Sequence, residues 1–446
     1  MRSFKPIKFI EKCFVFFCFF FYLYPIQFAY IPVSTRILLA LMGMTVLIFS
    51  ITKQASLFKD VFISKSFIRY LITFAAITAV SVFTVVINGT NDIEFIKYPL
   101  SLIFILLAGY FLHFIIRETY GKINSVIILY FIVAAVLVQV IIALISFLVP
   151  SFSNVLQNIQ NLNDFDASKL ADAAGMRLNG LGSGFFGAGL INGLALLSVA
   201  VLVKQSNNST RRILYLSFAF VAILGLGSMM ARTTLIGGAM SIFFLLLPAR
   251  VMNKRVVKIK AKFFAYIIVL PVFVTLAMFA VFPGFADSMQ KIFSFGFEMF
   301  VTYAETGQVS TASTDILEDM YVLPDNPKTY AIGDAHFYIR PGDPTNGYYK
   351  NTDVGYLRLI YYFGIIGSLI YFALQYTAVV NALKSNPGNK SFRTYILLVF
   401  AFCLIANFKG FADFFFFINL FAFNNYETEN ANAESNIVLT PQMEAR

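Results

Sequence analysis

The feature that most limits the fold of this chain is a series of long apolar runs separated by short polar segments. The runs lie near 10–31, 36–52, 67–87, 97–116, 124–149, 180–203, 213–230, 232–248, 262–282, 354–381 and 393–408. A shorter stretch at 410–423 makes a twelfth, which we interpret as a partial crossing or a re-entrant segment. About 20 apolar residues is the length of a helix that crosses a bilayer. Hydrophobic residues make up 59% of the chain and charged residues 13%, against roughly 25% charged in soluble proteins. This composition excludes a soluble enzyme, a disordered protein and a secreted disulfide scaffold. We predict an all-α polytopic membrane protein with about 11 or 12 transmembrane helices.

The positions of the Lys and Arg residues predict the orientation of these helices. Most of the 34 basic residues fall in segments that the positive-inside rule assigns to the cytoplasm, so membrane topology, and not nucleic acid, explains the net charge of +11. Both termini are then cytoplasmic, provided that 410–423 crosses. The three cysteines lie inside apolar runs and give neither a disulfide framework nor a metal-binding spacing. We predict four parts. Residues 1–282 form a bundle of nine spans, which includes an outer loop at 150–179. A large outer loop between spans nine and ten (283–353), the last spans (354–423) and a cytoplasmic tail (424–446) follow.

Three short motifs have weak functional interpretations. Residues 182–187 match GxGxxG, but they open a membrane span and Lys204 follows where a dinucleotide site needs an acid. We interpret Gly180/Gly184 and Gly189/Gly193 as close helix-packing pairs instead. Two acidic pairs, Asp164 with Asp166 and Asp92 with Glu94, resemble sites of sugar transferases, although a solvated loop explains them as well.

Basic residues on the predicted outer side are more informative, because the positive-inside rule disfavours them. A single one is explained by a snorkelling side chain at a helix end. Five together predict an anionic partner at the outer membrane interface, and Arg side chains suit phosphate oxygens. A lipid diphosphate fits, since its phosphates lie at the interface and its tail in lipid. The five residues are Arg177, Arg232, Arg340, Arg358 and Lys409.

Two residues are candidates for proton transfer. Asp353 ends the large outer loop immediately before a predicted helix, so it is either a helix N-cap or a functional carboxylate at the outer interface. His336 is the second, because histidine is a common general base, although a lone loop histidine is more often a bystander. His113, deep in the fourth span, is interpreted as structural. Loop tyrosines either stack on sugars or pack within the loop.

With these motifs the chain resembles the bacterial O-antigen polymerases, which share a superfamily with the O-antigen ligases. The resemblance rests on the predicted topology and the late outer loop, together with Arg177 and its glycine-rich continuation, Arg232-Thr at a span start, and residues 353–358 before Gly364-Ile-Ile-Gly367. The ligases typically carry a His-Asn pair about eleven residues before the Gly-x-x-Gly, where this chain has Asp353-Val354. This difference favours the polymerases.

The resemblance implies a GT-C-like enzyme of the bacterial inner membrane. It would join undecaprenyl diphosphate-linked repeat units at the periplasmic face, in lipopolysaccharide or other surface polysaccharide synthesis, without a metal or another cofactor. A chain-length regulator is an implied partner. Asp353 and then His336 are the implied catalytic residues, the five cations would bind diphosphate, and Tyr338, Tyr348, Tyr349 and Tyr356 would contact sugars. The alternatives are an O-antigen ligase and a flippase or transporter of the same lipid-linked oligosaccharide, whose cations would line a central cavity.

Overall fold

The computed structural model describes residues 6–53, 64–121, 123–161, 176–182, 184–206, 209–247, 254–281, 285–308, 311–386 and 390–422. The first helices are α1 (Pro6–Leu23), α2 (Thr35–Lys53), α3 (Lys65–Asn88), α4 (Glu94–Tyr120), α5 (Ser125–Leu148) and α6 (Pro150–Ile159). Then come α7 (Phe185–Lys204), α8 (Thr210–Met230), α9 (Thr233–Leu246), α10 (Lys254–Val281) and α11 (Phe285–Thr306). The last are α12 (Ala312–Asp319), α13 (Pro327–Ile332), α14 (Gly355–Lys384), α15 (Lys390–Ala406) and α16 (Phe415–Ile418). Asp164, Asp166 and the tail 424–446 lie outside the described residues.

The chain is helical, and within the described residues seven helices are long and apolar enough to cross a membrane. They are α2, α3, α4, α5, α7, α8 and α14. This confirms the prediction of a polytopic α-helical membrane protein at that level. Each of the other long apolar runs of the sequence also coincides with one helix, namely α1, α9, α10 or α15.

Helix α7 is the most deeply buried of the seven, with 89% of its most apolar 18-residue segment buried inside the protein. Its Gly193 lies directly against Gly237 of α9, where an added Cβ would collide with the Gly193 backbone. A Cβ on Gly189 would lie 2.8 Å from the Cβ of Ala231. These contacts confirm that Gly189 and Gly193 serve close helix packing. The prediction was wrong for the other pair, because Gly180 lies in the loop before α7 and Gly184 is the N-cap of that helix.

The large loop 283–353 folds onto one end of the bundle. It contributes α11, α12, α13 and a small antiparallel sheet of β1 (Tyr338–Arg340) and β2 (Asp343–Tyr348), with Tyr338 opposite Tyr348. We call the end of the bundle that carries this sheet the hairpin end. Buried Asp92 fixes the sheet by accepting hydrogen bonds from the backbone N–H of Glu94 and of Phe337, the latter at 2.8 Å. Asp92 is therefore a structural anchor.

A bend in α14 attaches the same loop from a second side. Gly364 has a φ of +70°, a left-handed conformation that favours glycine, and the helix bends there. The bend leaves the carbonyls of Tyr361 and Tyr362 free to accept hydrogen bonds from the N–H groups of Asp334 (2.6 Å) and Ala335 (3.2 Å). A Cβ on Gly364 would collide with the backbone of α13.

The short apolar stretch at 410–422 starts unwound, over residues 411–414, continues as α16 and a turn of 3-10 helix (Asn419–Phe421), and runs through the interior of the bundle. Its first part contacts the start of α4, where the Tyr98 hydroxyl donates to Asp413 (2.7 Å), and its last part reaches His113, whose Nε2 lies 2.6 Å from the carbonyl oxygen of Leu420. Irregular backbone is tolerated at membrane depth only when it is buried in protein and its polar groups are paired. Side chains pair it here, including Tyr22 with the carbonyl of Phe416 and Asn407 with the backbone of Ala412.

Candidate functional site

The loop before α7 carries Arg177 and is tied to the bundle at three points. The N–H of Leu178 donates to the carbonyl of Met229 at the end of α8 (3.1 Å). The buried amide of Gln139 in α5 both donates to the Leu181 carbonyl (2.7 Å) and accepts from the Leu181 N–H (3.3 Å). The N–H of Gly182 donates to the Gln160 side chain (3.0 Å). The loop position of Arg177 is thus set by α5, α6 and α8 together.

Arg232 lies in the short break between α8 and α9 and contacts α11. Its Nε donates to the Phe295 carbonyl (2.8 Å), and its guanidinium forms an ion pair with Glu298. The ring of Phe295 lies 4.3 Å from the guanidinium carbon of Arg232 and 4.6 Å from that of Arg177. Cations are attracted to aromatic faces at such distances. One phenyl ring therefore holds the two arginines close to each other.

Lys409 and Asp353 lie in the same electrostatic neighbourhood. Lys409 follows the end of α15 at the hairpin end and is half-buried. Burial lowers its pKa, the nearby Arg232 and Arg177 lower it further, and the Asp353 carboxylate opposes this effect. Burial and then Arg232 also lower the pKa of Arg177. Three cations from three separate segments are thus close enough to interact electrostatically, and the Asp353 carboxylate interacts with one of them, Lys409.

Asp353 does not cap the helix that follows it, so that alternative is wrong. The N-cap residue of α14 is Val354, which makes no side-chain capping hydrogen bond. The N–H of Val354 donates to the Thr352 hydroxyl (3.2 Å). The Asp353 side chain is exposed. Its carboxylate is therefore accessible beside the cations.

The two remaining predicted cations occupy different surroundings. Arg358 is only 6% exposed, with its guanidinium carbon 3.4 Å from the ring centre of Tyr348 and 4.1 Å from that of Phe337. Its guanidinium is surrounded by the rings of Phe337, Tyr348 and Phe411, and these contacts join the sheet to α14. Arg340 is exposed at the tip of the sheet, opposite Asp343.

The predicted histidine and tyrosines pack mainly against one another. The His336 ring stacks on Tyr349, with ring centres 5.0 Å apart, and Tyr338 stacks on Tyr348 at 5.8 Å. The Tyr356 hydroxyl donates to the Leu404 carbonyl (2.8 Å). Tyr348 contacts Arg358, so these aromatic residues surround that buried cation and not the cluster of Arg177, Arg232 and Lys409.

Among the described residues, His, Cys, Asp and Glu form no group of three or more that could hold a metal ion. Three half-buried or buried cations close to each other create a positive potential that suits a partner with more than one negative charge. An exposed carboxylate at the edge of such a cluster can accept a proton from a hydroxyl held beside the anion.

No protein-family profile, characterised protein or solved structure matches this chain.

Two residues of the site were missed from the sequence. Phe295 and Glu298 come from α11, in the large outer loop, and they support Arg232 and Arg177. They lie on either side of a kink in α11 at Phe297. No local pattern in the sequence indicates that kink or the contact with Arg232.

Proposed function

We propose that this protein is a membrane glycosyltransferase of the O-antigen polymerase type, which joins lipid diphosphate-linked oligosaccharides. The single observation that carries the proposal is that Arg177 and Arg232 meet at the ring of Phe295 (4.6 and 4.3 Å), with Lys409 and the exposed Asp353 in the same electrostatic neighbourhood. A lipid diphosphate has the charge for such a cluster and the tail for a membrane-embedded protein.

In the proposed reaction, a hydroxyl oxygen of the incoming repeat unit attacks the anomeric carbon of the growing chain. The bond from that carbon to the diphosphate oxygen breaks, and undecaprenyl diphosphate leaves with the electron pair. The cations stabilise the negative charge that develops on the leaving group. Asp353 accepts the proton of the attacking hydroxyl. His336, whose ring stacks on Tyr349, is the second candidate for that role.

The proposed orientation places the hairpin end in the periplasm of a bacterial inner membrane. The opposite end carries Lys12 beside the last turn of α4, Arg69 beside Asn381, and Lys204 beside Phe244. Basic residues concentrate on the cytoplasmic side of membrane proteins. Ala422 lies at that end too, bonded to Ser385, so the first and last described helices begin and end on the proposed cytoplasmic side.

The test is complementation of a strain that lacks its own polymerase, with lipopolysaccharide resolved on a gel. Wild type is expected to restore a ladder. Asp353→Asn and Arg177→Ala are expected to leave a single repeat unit on the lipid core at wild-type membrane levels. Lys350→Ala, which removes an exposed cation from the same loop, is the matched control and should keep the ladder. A core without any repeat unit in cells lacking the protein would instead indicate ligation or flipping and refute polymerisation.

A further inference from the structure

A half-open cleft of about 350 Å³ lies beside the cation cluster, between α6 and the loop that carries Arg177. Its lining is mixed: the polar side chains include Ser153, Asn154, Gln157, Asn179 and Arg177, and Phe147, Pro150 and Leu156 form the apolar wall. The volume is within the range of about 300–1,000 Å³ that is usual for small-ligand sites. Arg177 belongs both to this cleft and to the cation cluster, so the two are continuous.

Helix α6 turns a polar face toward the cleft. Ser153, Asn154, Gln157 and Gln160 have the spacing of one helix face and all line the cleft. Val155 (52% exposed) and Ile159 (41% exposed) lie on the other side of the helix. Asn154 and Gln157 are exposed, so their amides are accessible to a ligand that enters the cleft next to Arg177.

Two residues that line the cleft carry unpaired polar atoms. Among the residues that the structure describes, the Nε of Arg177 and the Oδ1 of Asn179 are buried and have no hydrogen-bond partner. The first is a donor and the second an acceptor. Buried polar atoms are normally paired. A rotation of either side chain toward the cleft would let that atom pair with a ligand hydroxyl group, which both donates and accepts.

The lining also specifies the charge of the ligand. Arg177 is the only charged residue among the described residues of the cleft, and it faces the cation cluster as well. Amide and hydroxyl side chains with one apolar wall suit uncharged sugar rings, which have polar rims and apolar faces. A second phosphate or a peptide would call for more charge or more apolar surface than the cleft offers.

We infer that this cleft is a carbohydrate subsite that holds uncharged sugar residues of the donor oligosaccharide, next to its diphosphate. The inference rests on the proposed function, because the cation cluster is taken to bind that diphosphate. Sugars seated beside Arg177 are joined to the leaving group, so they belong to the donor, whereas the acceptor hydroxyl approaches at Asp353. The cleft would thus orient the donor for attack.

The test measures binding to the purified full-length protein in detergent by calorimetry. The probes are the free repeat-unit oligosaccharide, released by mild acid from the lipid-linked form, and inorganic diphosphate. Asn154→Ala/Gln157→Ala should bind the oligosaccharide about tenfold or more weakly, since two polar contacts at about 1 kcal/mol each are lost. Its affinity for diphosphate should not change. Asn158→Ala, on α6 but outside the cleft, is the matched control and should behave as wild type.

A second measurement locates the bound sugar. The chain contains no tryptophan, so Phe147→Trp places a single tryptophan in the cleft, whose emission is selectively excited apart from that of the 23 tyrosines. The oligosaccharide should change its emission and diphosphate should not. Equal oligosaccharide affinity in the double variant, the control and wild type would overturn the subsite, as would binding without any fluorescence change. A restored ladder together with either result would leave the proposed function standing. Cleft-dependent binding without any ladder would refute the polymerase and keep the subsite.

Discussion

Arg232 has two roles that a double-mutant cycle separates. Its guanidinium is paired with Glu298, and the two side chains are 11% and 27% exposed. It also lies in the cation cluster that we propose binds diphosphate. A loss of activity in Arg232→Ala alone would not distinguish a misfolded α8–α11 contact from a missing ligand for phosphate.

The burial of the pair sets the expected magnitude. Breaking a fully buried ion pair by removing one partner costs about 3–5 kcal/mol, and an exposed pair contributes about 0–1 kcal/mol. This pair is intermediate, and Arg232 also loses its hydrogen bond to the Phe295 carbonyl. We expect Arg232→Ala to destabilise the fold by about 2 kcal/mol and Glu298→Gln by about 1 kcal/mol. The double variant should be about 1 kcal/mol more stable than the sum of the single effects predicts.

The assays are thermal unfolding in detergent and the lipopolysaccharide ladder, measured for all four proteins of the cycle. If Arg232 binds diphosphate, the Arg232→Ala/Glu298→Gln variant should be about as stable as Arg232→Ala alone, because Glu298→Gln removes the unpaired carboxylate, and it should still make no ladder. Arg232→Lys, which keeps a charge without the planar fork, should give a weak ladder. A double variant with the ladder of Glu298→Gln alone would refute the reasoning, because Arg232 would then serve only to neutralise Glu298.

Three further predictions follow from single side chains. Burial and the two nearby arginines lower the pKa of Lys409, so glycosyl transfer by the purified protein should fall as the pH rises through that pKa. The Lys409→Arg variant should stay charged and active over the same pH range. An equal fall in activity in both proteins would contradict this prediction. Because the unfolded chain holds that proton more tightly, the free energy of unfolding should rise with pH over the same window. Gln139→Ala removes both hydrogen bonds to Leu181, so the free energy of unfolding, measured by thermal unfolding, should fall by about 1–3 kcal/mol and the ladder should weaken. Unchanged stability and an unchanged ladder would show that other contacts hold the loop. Asn407→Ala unpairs the backbone of Ala412 in the unwound stretch and should cost about 3 kcal/mol in the same melt, whereas an unaltered melting temperature would mean that the stretch is held elsewhere.

The helices were predictable from the sequence because their signal is local. A run of apolar residues has one stable solution in a bilayer, a helix that pairs its own backbone groups. The prediction of Gly189 and Gly193 as packing residues succeeded for the same reason, since both lie on one face of a helix. It failed for Gly180 and Gly184 because the helix begins only at Phe185, and the motif does not record where a helix starts.

The site was only partly predictable, because its geometry depends on contacts between distant segments. Arg358 was expected to face the outer interface from the first turns of its helix. Its surroundings are set by Phe337, Tyr348 and Phe411, which come from three places in the chain and bury it. Hydropathy likewise detects that 410–423 is short for a full span, but it does not show that residues 411–414 are unwound. Their backbone depends on partners elsewhere in the chain, such as Asn407 after α15, which pairs with Ala412.

The three clustered cations come from places where helices are interrupted. Arg177 lies in the loop before α7, Arg232 in the break between α8 and α9, and Lys409 where α15 gives way to the unwound stretch. A cation in the body of a transmembrane helix would face lipid or the packed core, where charge is costly. At an interruption the backbone turns, and the side chain can project along the end of the bundle instead of outward. Three interruptions at one end therefore allow three cations to meet without any of them crossing the apolar interior. Substitutions that extend α8 into α9 or α15 into the unwound stretch should disperse the cluster even when every cation is kept.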